Sequence, residues 1–235
     1  MAYSDFTVSK VKRELGVTIA ETTGLFAQVE KVAPSELLTA ILNRSGRLGR
    51  LIGTEKAKSE FLIAPILAEV TARLNHQVSL FSGTEFNVDA EKGLLGFCDF
   101  MLSQSPEQLD ITAPIVTIVE AKNDNLKNGI GQCMAEMVAA QIFNNRAEND
   151  PEGNAEKTIY GVVTTGTSWL FMNIIGSHIQ VDDREYFINE VDQILGILMV
   201  PFRDNSIGIT HGFWTEASDE ISLLLYRGGV KQDGL

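Results

Sequence analysis

The chain has few of the residues from which several common sites are built. Of its 235 residues, two are cysteine and three are histidine. Cys98 and Cys133 form no Cys-x-x-Cys pair, which argues against a zinc ribbon and a disulfide framework and predicts two small buried hydrophobic residues. The three histidines, His76, His178 and His211, are far apart and have no metal-ligand spacing, so they do not predict a histidine metal site.

Other signals are also missing. No apolar run reaches membrane-spanning length, and the first residues lack the basic start of a signal peptide, so we expect a cytoplasmic protein with no membrane partner. No Gly-rich loop ending in Gly-Lys-Ser/Thr and no Gly-x-Ser-x-Gly turn is present. An acid pair of the glycosidase type is conceivable but has no distinguishing mark. With 44% hydrophobic and 21% charged residues, the composition is that of a soluble globular domain.

The charge is strongly acidic, with a formal net value of −12. Proteins that bind nucleic acid through its phosphates usually present a basic surface, so this charge argues against casual nucleic-acid binding. The stretch from residue 43 to 58 is an exception, because it has five basic residues against one acid. It is either a solvated loop and helix start or a weak nucleic-acid contact. Its basic residues are Arg44, Arg47, Arg50, Lys56 and Lys58.

One apolar run ends in two opposite charges. Residues 115–122 read Ile-Val-Thr-Ile-Val-Glu-Ala-Lys, which predicts a buried central strand. Because strand side chains alternate between faces, Glu120 and Lys122 should point the same way, and Ala121 the other way. The sequence therefore predicts that a carboxylate and an ammonium leave one strand end together.

Two further residues complete a recognisable pattern. Asp99 closes the apolar run 93–102, which could be a neighbouring strand, and Gln132 lies in the first turn of a helix predicted from residue 130 to about 145. An Asp, then Glu-x-Lys, then Gln on the next helix resembles the PD-(D/E)XK, restriction-endonuclease-like nuclease superfamily, and more closely its small bacterial members. The resemblance covers residues 6 to about 201, with the motif in 60–132, although Cys98 stands where the superfamily's name has Pro.

The resemblance implies an α/β fold, a mixed central sheet flanked by helices in the order αβββαβ. Residues 1–201 would form the nuclease-like domain with an N-terminal helical extension, and 202–235 a tail that could be an edge strand or an oligomer contact. The patterns along the chain agree with such a core. They predict helices at 7–15, 34–43, 54–74 (with Glu60 facing its apolar side) and 187–200, a strand at 17–20, hairpins within 77–102 and 168–181, and a strand at 158–165 parallel to the 115–122 strand.

The resemblance also implies a function and a site. Asp99 and Glu120, helped by the Ala121 backbone carbonyl, would hold Mg²⁺ or Mn²⁺ for hydrolysis of nucleic acid, with DNA as the expected substrate. Lys122 would orient the attacking water and stabilise the transition state, and Gln132 would position water or phosphate. Glu60 would support the first ion or bind a second.

Two other interpretations stay open. The chain could be a nuclease-fold protein that binds nucleic acid or a protein partner without cutting, or Glu120 and Lys122 could be a structural ion pair. The acidic charge suggests that another protein delivers the substrate or that a homodimer forms a groove.

Overall fold

The computed structural model describes residues 2–146 and 157–203, and the elements assigned in it belong to one compact unit, Met1–Phe202. Its framework is a single mixed sheet of seven strands. The strands are β1 (Thr18–Thr22), β2 (Ser79–Glu85), β3 (Phe97–Ser103), β4 (Ile115–Ala121), β5 (Ile159–Thr164), β6 (Ser168–Ile175) and β7 (His178–Phe187).

The strands lie in the order β1-β7-β6-β5-β4-β3-β2. β4 pairs with β3 in antiparallel register and with β5 in parallel register. The β2–β3 and β6–β7 pairs are antiparallel, while β1 runs parallel to β7 at the opposite edge. The carboxyl ends of the two parallel strands β4 and β5 therefore lie side by side.

Helices cover both faces of this sheet. Ile118 of β4 belongs to one hydrophobic cluster and the next residue, Val119, to the other, as the alternation of strand side chains requires. The first cluster contains α1 and α5, and the second contains α2, α4 and α6. The helices are α1 (Val8–Glu14), α2 (Glu36–Ile52), α3 (Glu55–Lys58), α4 (Ala64–Arg73), α5 (Lys127–Asn144) and α6 (Val191–Leu198).

Short helical segments complete the described fold. A π-helical turn, Ser59–Ile63, joins α3 to α4, and 3₁₀ turns span Tyr3–Asp5, Ile188–Glu190 and Val200–Phe202. Several helices begin at side-chain caps: the Thr54 hydroxyl, for example, accepts the Ala57 N–H at 3.2 Å. From α4 to β5 the order is helix, three strands, helix, strand.

The predicted central strand is confirmed, since all seven residues of β4 are buried. Such a strand needs cover on both faces, which the two helical layers provide. The hairpin of β2 and β3, the hairpin of β6 and β7, and the parallel pairing of β5 with β4 are confirmed as well.

The helix predicted from residue 130 begins at Lys127, so Gln132 lies in the second turn of α5 and not in the first. Two further element boundaries were predicted wrongly by a larger margin. α2 does not end near Asn43 but continues to Ile52, through the basic stretch. Gly46 and Gly49 are buried there against Leu62, and a Cβ at Gly49 would lie 3.0 Å from the Leu62 Cγ atom. These glycines allow close helix contact, so tertiary contact outweighs their low helix propensity.

The second wrong boundary lies before α6. The predicted helix from Phe187 begins only at Val191, because β7 extends to Phe187 and a 3₁₀ turn follows. The strand continues because its residues pair along β6 as far as Ser168 and Phe187.

Among the described residues, no helix is both long enough and apolar enough to cross a membrane. The predicted tail contact, its apolar segment 221–226 and His211 lie outside the described residues.

Candidate functional site at the ends of β3 and β4

The predicted acids and lysine meet where β3 and β4 lie side by side. Phe100 pairs with Val119, so Asp99 and Glu120 occupy the next positions toward this end of the strand pair. The Ala121 N–H donates to Asp99 Oδ2 at 2.8 Å, and the Lys122 ammonium donates to Glu120 Oε1. Ala121, predicted to contribute its carbonyl, thus also orients Asp99 through its N–H.

Glu120 is the most enclosed of these groups. It is 1% exposed, and its Oε2 atom has no hydrogen-bond partner in the part of the chain that the structure describes, while the Lys122 side chain is 20% exposed. Burial raises the pKa of Glu120 to about 8, and the negative charge of Asp99 adds to the rise against the attraction of Lys122. Glu120 therefore holds a proton much more readily than an exposed glutamate does.

The charges of Asp99 and Lys122 are set by opposing effects. Burial raises the pKa of Asp99, and the hydrogen bond from Ala121 and the charge of Lys122 partly offset this rise. Burial disfavours the charged form of Lys122, but the nearby carboxylates of Glu120 and Asp99 outweigh burial and raise its pKa. Lys122 is therefore an ammonium and a hydrogen-bond donor rather than a general base.

Gln132 connects this group to a second buried acid. Lys122 Nζ donates to Gln132 Oε1 at 3.3 Å, and Gln132 Nε2 donates to Glu136 Oε1 at 3.1 Å. Glu136 is 0% exposed, and its Oε2 atom has no hydrogen-bond partner within residues 2–146 and 157–203. Burial, reinforced by the charge of Glu120, raises the pKa of Glu136 well above its usual range. Gln132 thus joins the predicted site through both ends of its amide.

Glu136 has a role that the sequence indicated only in part. Its position four residues after Gln132 predicts a shared helix side, which the hydrogen bond confirms. Its complete burial was not predicted, because a glutamate among the apolar residues Cys133 and Met137 ordinarily extends to solvent.

The predicted orientation of Glu60 is wrong. Its side chain is 50% exposed and pairs with Lys56 at 2.9 Å, instead of facing the apolar side of the helix. The prediction assumed 3.6 residues per turn, whereas Ser59–Ile63 is π-helical and shifts the phase of the residues around it. The helical acid whose charge raises the pKa of both Glu120 and Lys122 is Glu55, which the sequence did not single out.

The predicted basic contacts are divided between two places. Arg44, Arg47 and Arg50 are exposed on α2, and Lys56 pairs with Glu60. Lys58 reaches the loop after β4, where its ammonium donates to the Asn123 carbonyl. Of the five predicted contacts, Lys58 therefore approaches the strand end that carries Lys122.

The donor set at Asp99 and Glu120 suits a hard divalent cation. In the described ranges, no group of three or more His, Cys, Asp or Glu side chains is arranged to hold a metal ion. Mg²⁺, however, commonly uses one or two carboxylates and takes its other ligands from water and substrate phosphate. Among the described residues the Glu120 Oε2 atom is a buried acceptor without a hydrogen-bond partner, and a bound cation would satisfy it. The carboxylate pair therefore fits Mg²⁺ or Mn²⁺.

Comparison with known proteins gives no family for this chain. No protein-family model matches the sequence, and no curated protein matches it. The inference of a function therefore rests on the side chains at the ends of β3 and β4 rather than on a known relative.

Proposed function

We propose that the protein is a divalent-cation-dependent nuclease that hydrolyses phosphodiester bonds of DNA. The observation that carries this proposal is the meeting of Asp99, Glu120 and Lys122 on two adjacent strand ends, where Glu120 Oε2 is buried and finds no partner among the described residues. Three ionisable groups in one buried cluster are costly for stability, which favours a functional use. The element order from α4 to β5 and the resemblance to the PD-(D/E)XK superfamily support the same proposal.

The carboxylates Asp99 and Glu120 would hold Mg²⁺ or Mn²⁺, with the Ala121 carbonyl as an additional oxygen donor. A bound cation supplies charge neutralisation at the attacked phosphate and lowers the pKa of water. Asp99 is already oriented for this role, because the Ala121 N–H fixes one of its oxygens. Glu120 must lose its proton first, since its pKa is about 8.

Lys122 stabilises the negative charge that develops on the phosphate oxygens. Its ammonium has three N–H donors, and it donates hydrogen bonds to Glu120 and Gln132. The amide of Gln132 is itself oriented by Glu136, so the ammonium is held in place before substrate binds. Such preorganised donors cost no reorganisation during the reaction.

The test is cleavage of labelled single-stranded DNA and plasmid with Mg²⁺ or Mn²⁺ at low salt. We expect Asp99→Asn and Lys122→Ala each to lower the cleavage rate by about 100-fold or more, the usual cost of removing a preorganised charge-stabilising group. The matched control is Asp110→Asn, which alters an exposed loop aspartate whose carboxylate accepts the N–H of Ile111. Parent and control should cut equally.

The proposal fails if the folded parent protein cuts neither substrate with either cation. It also fails if cleavage persists in both site variants, because the activity would then come from elsewhere. Circular dichroism of each variant separates loss of the site from loss of the fold.

A second function is favoured by the net charge of −12. In this reading the protein keeps a nuclease-like sheet but binds nucleic acid or a protein partner without cutting, and the Glu120–Lys122 ion pair is structural. A homodimer or a delivering partner would then supply the basic surface that the chain as a whole lacks. Stabilisation by Mg²⁺ distinguishes the two functions, because a closed ion pair gains nothing from the cation.

A further inference from the structure

A polar pocket lies beside the carboxylate site, beyond the ends of the parallel strands β4 and β5. Its volume is about 270 Å³, and its walls are the loop 123–127, the turn at Thr165, Thr167 and Ser168, Lys58 of α3 and Glu185 of β7. The Lys122 N–H donates to the Thr164 carbonyl at 2.8 Å. The pocket therefore begins one residue beyond each member of this pair, next to the proposed catalytic lysine.

The position suits a ligand site. In open α/β sheets, ligands bind outside the carboxyl ends of the strands, where the chain departs in different directions. Here β4 leads into α5 on one face, whereas β5 turns back at once into β6. The pocket is the crevice between the loop that follows β4 and the turn that follows β5.

The pocket offers hydrogen-bond donors suited to a phosphate. The ammonium of Lys58 donates to the Asn123 carbonyl and has two more N–H donors, and Lys127 adds a second ammonium at the start of α5. The hydroxyls of Thr167 and Ser168 also line the pocket, and that of Thr167 shares a hydrogen bond with the Thr165 hydroxyl at 3.1 Å. Lysine ammonium groups and hydroxyls together are typical phosphate contacts.

The remaining lining groups suit the rest of a nucleotide. The carboxylates of Asp124 and Glu185 are acceptors for sugar hydroxyls or base N–H groups, and Asn125 adds an amide. Leu126 is the only apolar side chain among the lining residues, so a lipid or another largely apolar ligand does not fit.

The size of the pocket and the net charge of the protein favour a single strand over a duplex as the ligand. A volume of about 270 Å³ is just below the roughly 300–1,000 Å³ of pockets for drug-sized ligands, so it accommodates one nucleotide and not a duplex. Duplex binding also depends on many phosphate contacts, which a protein with a net charge of −12 is poorly suited to make. A single strand can instead place one nucleotide in the pocket.

We propose that this pocket binds the nucleotide next to the phosphate that is cut, and that the substrate is therefore a single strand or a frayed end. The inference rests on the proposed nuclease function, because only that function places the phosphate that is cut at Asp99 and Glu120. Lys58 and Lys127 hold the phosphate of that nucleotide, and Asp124 and Glu185 contact its sugar and base.

The experiment measures binding without cleavage. Fluorescence anisotropy measures the binding of a labelled oligothymidylate of eight nucleotides and of a blunt duplex of the same length. Both titrations are done at low salt in the presence of a chelator. We expect the parent to bind the single strand about tenfold more tightly than the duplex, and Lys127→Ala to weaken single-strand binding about tenfold, the usual scale of one lost charged hydrogen bond. Lys12→Ala, at an exposed lysine of α1 outside this pocket, is the matched control and should bind as the parent does.

A second variant and a competition keep the inference testable. Thr167→Val removes a hydroxyl at constant shape and should weaken binding without altering the charge. Thymidine 5′-monophosphate should displace the oligonucleotide at lower concentration than inorganic phosphate does. Equal displacement by phosphate would reduce the pocket to a simple anion site and overturn the inference, as would duplex binding equal to that of the single strand.

The outcomes separate this inference from the proposed function. If Lys127→Ala loses binding while the parent cuts nothing with Mg²⁺ or Mn²⁺, the pocket stands as a site for one nucleotide of a single strand, and the nuclease proposal fails. If the parent cuts, and both pocket variants bind and cut normally, the nuclease stands and the pocket inference fails.

Discussion

Glu120 is an ionisable group that the fold encloses almost completely. The carboxyl has one oxygen next to Lys122 and one without a partner among the described residues, and its pKa is raised to about 8. A raised folded-state pKa means that the folded protein holds a proton that the unfolded chain releases near pH 4.5. The contribution of Glu120 to stability is thus fully present below pH 4.5 and is lost as the pH rises through 8.

We expect Glu120→Gln to be more stable than the parent above pH 7. The amide keeps the shape of the protonated carboxyl and cannot ionise, so the fall in unfolding free energy between about pH 4.5 and 8 should become shallower. The difference should reach a few kcal/mol, because one pKa unit corresponds to about 1.4 kcal/mol. Urea unfolding at several pH values measures this.

Glu136 has a pKa shifted in the same direction, so the variant should reduce the pH dependence without removing it. Glu69, another acid that is largely buried, is the matched control. Burial opposes its ionised form, but hydrogen bonds from Ser35 and Arg73 outweigh burial and lower its pKa. Glu69→Gln should therefore lose stability at neutral pH, and a gain at both positions would contradict this account.

The residues of the site differ in how far the sequence could predict them. Glu120, Lys122 and Gln132 follow from strand alternation and from the spacing to the next helix, and the structure joins them by hydrogen bonds. Glu55 and Glu60 could not be told apart, because a π-helical turn leaves no regular spacing in the sequence.

At the scale of elements, the contact between α5 and β4 decides where Lys122 can lie. A Cβ at Gly129 would come within 2.7 Å of Val163 Cγ1 and 3.0 Å of Lys122 Cγ. The missing side chain thus leaves the space in which the lysine stem runs along the helix.

We expect Gly129→Ala to displace Lys122 and lower the cleavage rate more than it lowers stability. Overpacking of this kind costs roughly 1–3 kcal/mol, which the better helix propensity of Ala partly offsets. Cleavage is measured at a temperature where the variant is fully folded.

Gly131→Ala is the matched control on the same helix. Its Cβ would meet the backbone of Phe6 and Thr7, at 2.5 and 2.7 Å, and no atom of Lys122 is among its nearest contacts. It should lower stability at least as much while its folded fraction cuts normally. Equal loss of cleavage in both variants would show that α5 acts only through stability.

Element boundaries were predictable where local patterns decide them. β4 could be identified from an uninterrupted apolar run, and the β2–β3 hairpin from its polar turn. The length of α2 could not, because Gly46 and Gly49 usually interrupt a helix, and their contact with Leu62 is distant in sequence.

At the scale of the whole molecule, the charge of −12 restricts where a polyanion can bind. Under the proposed function, affinity for nucleic acid would have to come from a few close contacts near Lys122 rather than from a wide basic surface. A cation at Asp99 and Glu120 would also reduce the local negative charge, so cation binding and substrate binding should reinforce each other.

Mg²⁺ should therefore stabilise the folded protein through this one site. At a concentration of about 100 times the dissociation constant, a ligand of the folded state adds about 2.7 kcal/mol, which raises the melting temperature of a chain of this size by roughly 5–10 °C. The rise should be larger at pH 8.5 than at pH 6.5, because Glu120 must first lose its proton. Differential scanning fluorimetry at matched ionic strength measures it, since general screening of the acidic surface then acts equally in Na⁺ and Mg²⁺. Asp110→Asn should keep the shift and Asp99→Asn should lose it; an equal shift in both would place the cation elsewhere and favour the protein that binds without cutting.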